Sequence, residues 1–192
     1  GMDFTNSTLS NMFDGCTGLT SVNMSGANLY NTKLSGMFKG CSSLETANLA
    51  GLNLYNTSLA GLFNGCVELT TVDISGNNFN GANLSKLFYG CAELNSANIS
   101  GSVFSNADIS NMFYGCAALA NIDLSNADLE NSNLSSMFEG CTGLTFVDMS
   151  GANLSNATIS NIFKGCSSLE TANLANLTIY NTPMSGLFNG CG

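Results

Sequence analysis

FKGCSSLETANLA occupies Phe38 to Ala50 and returns unchanged at Phe163 to Ala175, 125 residues later. The cysteines explain the interval. Cys16, Cys41, Cys66, Cys91, Cys116, Cys141, Cys166 and Cys191 stand 25 residues apart throughout, so 125 is five periods of a tandem array. A fixed period of this length is the mark of a solenoid, whose units are each too small to bury their own apolar face and do so by stacking on their neighbours. Aligning Leu9–Cys66 with Leu134–Cys191 gives 42 identities in 58 positions, more than stacking alone requires, which points to duplication of a five-unit block. The quoted stretch is therefore scaffold copied whole, and its recurrence is no sign of a catalytic site.

Composition narrows the classes of function. The 192 residues are 44% hydrophobic and 9% charged, enough apolar material for a continuous core. Thirteen acidic residues face four lysines (Lys33, Lys39, Lys86, Lys164), with no Arg and no His, for a net charge of −9. Such a chain is a poor partner for nucleic acid, whose binding needs several cations to displace counterions, and for an anionic membrane surface. Apolar runs are a few residues long, so nothing here is expected to span a bilayer, and no basic-then-apolar signal opens the chain. Gly1 reads as a cloning remnant. The chain starts and stops inside a repeat, so residues 1–192 read as one solenoid domain of seven full repeats with partial ones at both ends, a segment of a longer protein. End-to-end self-association through the terminal coils is the alternative.

The apolar spacing changes within each unit. Leu34, Met37, Phe38 and Cys41 fall at i, i+3, i+4 and i+7, which predicts a short helix or 3-10 turn limited by Gly40. Leu44, Ala47 and Leu49, with polar Glu45, Thr46 and Asn48 between, predict a short strand, and Gly51 to Thr57 turns the corner. Stacked strands would form a parallel sheet. The expected fold is thus a repeat solenoid, leucine-rich-repeat-like, with 25-residue coils. A pentapeptide-like right-handed β-helix is the rival, because 25 is five fives and an apolar beat of five runs through Met24, Leu29, Leu34, Leu44 and Leu49. The beat fails at Asp14, Lys39, Asn64, Tyr89, Tyr114, Glu139, Lys164 and Asn189, beside the Phe-x-Gly-Cys element, and that favours the leucine-rich-repeat reading.

The pattern Phe-x-Gly-Cys-x-x-Leu-Thr-x-Val-Asp-x-Ser, as in Phe63–Ser75 and Phe138–Ser150, resembles the repeat of BspA-like bacterial surface proteins and the related mycoplasma-lipoprotein-type surface repeat, both in the leucine-rich-repeat superfamily. The resemblance covers every unit. It implies a secreted or wall-attached repeat domain used for adhesion, coaggregation or host contact, with no cofactor and no reaction. The BspA-like Ile-Pro after the strand is missing, Pro183 being the only proline, so the mycoplasma-type branch is the nearer one.

Two columns invite over-reading. The cysteines are expected to be small buried thiols rather than disulfides or a metal ladder: stacked side chains pointing one way rarely reach a disulfide dihedral near 90°, and metal sites want Cys pairs two to four residues apart, usually with His. The asparagines at Asn31, Asn56, Asn106, Asn131, Asn156 and Asn181, interrupted by Gly81, are expected to be a structural ladder bonding backbone groups of the corner.

The remaining candidate is the outward row of the sheet: Asn23, Asn48, Asp73, Asn98, Asp123, Asp148 and Asn173, with Phe146 standing where other units have Ser, Thr or Asn. This polar strip could take sugar hydroxyls, a peptide edge or another protein, and an exposed aromatic on it is a natural contact. Its carboxylates are too sparse for a calcium site, which needs six or more oxygens. No catalytic or metal site is expected, since no acid–base pair or activated nucleophile stands apart from the repeat. The expected role is a non-catalytic extracellular binding or adhesion scaffold at a bacterial cell surface, signal and anchor lying outside this segment. Its partners would be a host or bacterial surface protein or glycan, with no nucleic acid, membrane insertion or cofactor. A spacer displaying another domain is the competing role.

Overall fold

The computed structural model describes residues 3–55 and 57–191. Each coil contributes one three-residue strand: β1 (Ser21–Asn23), β2 (Thr46–Asn48), β3 (Thr71–Asp73), β4 (Ser96–Asn98), β5 (Asn121–Asp123), β6 (Phe146–Asp148) and β7 (Thr171–Asn173). All pairs are parallel and in 25-residue register, for example Val22 with Ala47 and Ala47 with Val72. The middle residue of each strand points inward and its two neighbours outward, as the alternation of a strand requires. The chain is therefore the expected parallel-strand solenoid, but its sheet is interrupted. β1 to β4 form one sheet and β5 to β7 another. A second row of parallel bridges runs unbroken along the coils from Thr8 through Lys33, Ser58, Asn83, Asp108 and Asn133 to Thr158.

The expected helix is absent. Leu34, Met37, Phe38 and Cys41 are buried as their spacing foretold, yet the backbone is a run of turns. Met37 N–H donates to Leu34 C=O at 3.1 Å and Cys41 N–H to Phe38 C=O at 3.2 Å, the i→i+3 bonds of turns. Gly36 and Gly40, the third residues of those turns, have φ of +63° and +65°, which defines type II geometry. The amides between leave the coil altogether: Gly36, Phe38 and Gly40 donate to the carbonyls of Ala60, Leu62 and Asn64 in the next coil, at 3.0, 3.0 and 2.8 Å. A helix would need those same N–H groups for i→i−4 bonds. Neighbouring coils win them, so a stripe with helical spacing is read out by a laddered chain of turns. The five-residue beat also has a structural meaning, because turns begin at Met24, Leu29 and Leu34 and each ends with an N–H donated back to that residue.

The core is a set of columns. Phe13, Phe38, Phe63, Phe88, Phe113, Phe138, Phe163 and Phe188 stack with ring centroids 5.4–5.7 Å apart. Such offset aromatic pairs add about 0.5–1.5 kcal/mol each beyond their buried area. Leucines flank them, with Leu34, Leu44, Leu69, Leu94, Leu119 and Leu144 fully buried. Cys41, Cys66, Cys91, Cys116, Cys141 and Cys166 are buried free thiols, in keeping with the sequence reading, while Cys16 is exposed. Each thiol from Cys41 onward donates to the phenylalanine carbonyl of the preceding coil, as Cys66 Sγ does to Phe38 O at 3.1 Å. Burial pushes the Cys66 and Cys166 thiols up to about 12, with the neighbouring cysteine adding to the effect. Cys91, Cys116 and Cys141 shift in the same direction for the same reason.

The asparagine ladder exists, with a different bonding pattern from the one expected. Asn31, Asn106, Asn131, Asn156 and Asn181 have φ between +53° and +58°, a left-handed conformation that Asn tolerates and Gly81 (φ +69°) adopts freely. Their amides bond one another, Asn31 Nδ2 to Asn6 Oδ1 at 2.9 Å and Asn131 Nδ2 to Asn106 Oδ1 at 3.1 Å, instead of backbone groups. Asn56 lies outside the described residues.

Candidate binding face

The strands place Asn23, Asn48, Asp73 and Asn98 in one register and Asp123, Asp148 and Asn173 in another, so the row read from the sequence exists as two segments. Phe146 opens β6 and is 41% exposed, beside Asn121 and Thr171 in register. The Asx side chains are not idle. Asn23 Oδ1 accepts from Ser25 N–H at 3.0 Å, Asp73 Oδ1 from Ser75 N–H at 3.0 Å and Asp148 Oδ1 from Ser150 N–H at 2.8 Å, each closing the corner after its strand. Asp123 does the same to Ser125 N–H at 2.8 Å, and Asn173 Nδ2 also donates to Asp148 Oδ1 along the stack at 3.1 Å. Part of each side chain's hydrogen-bonding capacity is thus structural, and the second carboxylate oxygen of Asp73, Asp123 and Asp148 remains for a partner. Hydrogen bonds from Ser75 and from Ser150 hold the Asp73 and Asp148 carboxyls below the usual carboxylate range. Both groups therefore stay charged through neutral and mildly acidic pH.

Charge is divided between faces in a way the row alone did not reveal. Glu45, Glu68, Glu93 and Glu170 join Asp73, Asp123 and Asp148 on the strand side, between the cysteine and the corner after the strand, and no lysine falls there. All four lysines lie on the side built from turns, at Lys33, Lys39, Lys86 and Lys164. The signal was present in the sequence as phase within the 25-residue period, and it emerges once every charged residue is placed on that phase. One ion pair occurs among the described residues, Lys164 Nζ to Glu139 Oε1 at 2.8 Å on the turn side. Tyr89 and Tyr114 stack there at 4.7 Å, with Lys86 Nζ 5.9 Å from the Tyr89 ring centre.

Among the described residues, no three His, Cys, Asp or Glu side chains converge as a metal site, and no helix is long and apolar enough to cross a membrane. The strand face is instead anionic and rich in hydroxyl and amide groups, with a single aromatic ring at Phe146. Such an arrangement can hydrogen-bond a ligand and attract a cationic one.

Similarity to known proteins accords with this architecture. The mouse RP105/MD-1 complex contains a chain that superposes with a TM-score of 0.51 at 17% identity, over 86% of this chain and 28% of that one. The present chain thus spans 28% of the length of that relative. Internalin InlF of Listeria monocytogenes matches at 14% identity and a TM-score of 0.42, over 93% of this chain and 54% of that one. QnrB1, a plasmid-mediated fluoroquinolone resistance protein, matches at 20% identity and 0.37, over 93% and 84%. No curated protein matches the sequence. Two family models do match, that of the "Mycoplasma protein of unknown function, DUF285" over residues 7–126 and that of the "BspA type Leucine rich repeat region" in six copies over residues 83–191. Each spans more than half of the chain, which accordingly belongs to this mycoplasma family and carries BspA-type leucine-rich repeats.

Proposed function

We propose that this segment is a non-catalytic binding scaffold of a bacterial surface protein, and that it recognises an extracellular protein or glycan through its strand face. The observation that carries this reading is the segregation of charge and polarity. Seven carboxylates, three of them in the Asx row, line the strand side without a lysine, together with the half-exposed ring of Phe146. A row of Asx side chains repeated coil after coil presents hydrogen-bonding groups to an extended partner, and a half-exposed aromatic beside that row on β6 is the residue type that anchors interfaces. The BspA-type repeat supports a surface location, and leucine-rich-repeat scaffolds are typical protein-binding domains. The absence of an acid–base pair or activated nucleophile outside the repeat pattern supports a role without chemistry.

The test is binding of the folded segment to an array of glycans and extracellular-matrix proteins, alongside a Phe146→Ser, Asp123→Ala, Asp148→Ala variant. A hit lost in the variant supports recognition by this face. Silence from a segment shown to be folded, or a hit indifferent to the variant, would favour a spacer or another surface.

A further inference from the structure

The interface between the coils of β4 and β5 differs from the others in one consistent direction. In the preceding interface Ile74 N–H donates to Asn98 C=O at 3.0 Å and Gly76 N–H to Ser100 C=O at 2.9 Å. In the following one Leu124 N–H donates to Asp148 C=O at 2.7 Å and Asn126 N–H to Ser150 C=O at 2.8 Å. The equivalent bonds from Ile99 N–H to Asp123 C=O and from Gly101 N–H to Ser125 C=O are missing, as is strand pairing between β4 and β5. The phenylalanine column registers the same event. Phe88 and Phe113 are tilted by 21° to one another, whereas the other pairs of that column lie within 4–8°. On the opposite side Tyr89 and Tyr114 remain parallel to 4° at 4.7 Å. The two coils are closed along the turn side and wedged open along the strand side.

A cavity of about 240 Å³ fills the wedge, between Ile99–Ser102 with Phe104 on one wall and Asp123–Ala127 on the other. One wall offers main-chain donors at Ile99 and Gly101, and the facing wall main-chain acceptors at Asp123 and Ser125. Ser100, Ser125 and Asp123 line the cavity with polar side chains, the Ser100 hydroxyl donating to Asn98 Oδ1 at 2.8 Å, and Phe104 joins the lining from the core, where it is buried. Backbone groups left unpaired in a partly enclosed site are costly, so a ligand that both donates and accepts gains there what water supplies in its absence. An inserted peptide strand does not fit. It would need the flanking strands about 9.5 Å apart, and the walls are tied just beyond the cleft by Phe104 N–H to Asp128 C=O at 3.3 Å and Asn106 N–H to Glu130 C=O at 2.8 Å. An anion is disfavoured by Asp123 and by the lack of any lysine on this face.

We propose that this cleft is a binding site for one neutral sugar residue, the terminal unit of a glycan, whose hydroxyls bridge the donor wall that follows β4 and the acceptor wall of β5. The assignment rests on the reading of the strand face as a recognition surface. It is separable from that reading because the array tests the whole face and the experiment here tests the cleft.

The experiment is an amide-resolved NMR titration of the segment with methyl glycosides of glucose, galactose and mannose and with N-acetylglucosamine, each carried well past a Kd of about 1 mM. The expected result is that one or more sugars shift the Ile99, Gly101 and Ser125 amides, and that Ala127→Leu weakens this binding tenfold or more. Leucine is the natural occupant of the equivalent positions Leu52 and Leu177, so the substitution should fill the cleft in a folded protein. Asp123→Asn keeps the Asx bond to Ser125 and should weaken binding less. No shift with any of the four sugars, or shifts that map elsewhere, or affinity unchanged in a folded Ala127→Leu protein, would overturn the proposal. An array glycan still bound by Ala127→Leu would leave the face as a recognition surface and remove the cleft from it.

Discussion

The turn side and the strand side of the solenoid are built on the same 25-residue period and tolerate irregularity to different degrees. On the turn side every coil has Phe-x-Gly-Cys, the bridges from Thr8 to Thr158 are unbroken, and the rings stack from Phe13 to Phe188. On the strand side the outward residue changes among Ser, Thr, Asn and Phe, and the sheet parts between β4 and β5. The difference is physical. A residue in the phenylalanine or cysteine column contacts identical residues above and below, so one change damages two interfaces, whereas an outward strand residue meets solvent. The turn side thus holds the fold, and the strand side tolerates variation.

The sharpest way to break this contrast is to place a charge in the turn-side column. Cys91→Asp should abolish cooperative folding, since an unpaired buried carboxylate costs several kcal/mol; a thermal melt like that of the parent would show that the column faces water. Alkaline pH does something similar by degrees. The thiols of Cys66 and Cys166 ionise near 12 in the folded chain and near the ordinary thiol value when unfolded, so their stabilisation is complete below about pH 9 and is lost as pH rises toward 12. Denaturant unfolding between pH 8 and 11 should therefore show stability falling by on the order of 1 kcal/mol per pH unit for each such thiol, with a shallower fall in a Cys66→Ala, Cys166→Ala variant. An equal slope in that variant would assign the loss to other groups.

Smaller effects should appear at the corners and on the strand face. Asn98→Ala removes the Oδ1 acceptor that Ser100 N–H reaches at 3.3 Å and should cost about 0.5–1.5 kcal/mol. A loss as large as that of a core residue would make the outward row part of the structural frame and weaken its claim as a recognition surface. At the other sign, Ser136 holds a left-handed φ of +55° at a position that is Asn in three coils (Asn11, Asn111, Asn161), Gly in three (Gly36, Gly61, Gly186) and Lys86 in one. Ser136→Asn should stabilise by about 0.5–1 kcal/mol by relieving that conformation, read as a raised denaturant midpoint at constant slope. No gain would mean that Ser136 is already relaxed by its neighbours.

The period, the strand and the burial of Phe and Cys were legible in the sequence because each repeats in phase and the repeat itself is the structural unit. The helix was misread for a definable reason. The spacing of Leu34, Met37, Phe38 and Cys41 reports which side chains are buried, and both a helix and a chain of turns bury that set. What separates them is where the amides of Gly36, Phe38 and Gly40 find acceptors, and those acceptors lie in the next coil. Gly36 and Gly40 carried the clue, since two left-handed positions four residues apart do not belong in one short helix. The outward Asx row was read correctly as to its place, while its Asx bonds to the following corner went unseen. The wedge between β4 and β5 has no signature in the repeat pattern, because the coils on either side of it obey the same period.

Amide hydrogen exchange measured residue by residue compares the two sides of the solenoid in one experiment. Strong protection is expected at Phe88, Gly90, Phe113 and Gly115, whose N–H groups reach the next coil at 2.8–2.9 Å, together with fast exchange at Ile99 and Gly101 and protection restored at Leu124 and Asn126. Equal protection at Ile99 and Gly101, or rapid exchange along the turn side, would contradict an array held together along its turn side and opened on its strand side between β4 and β5.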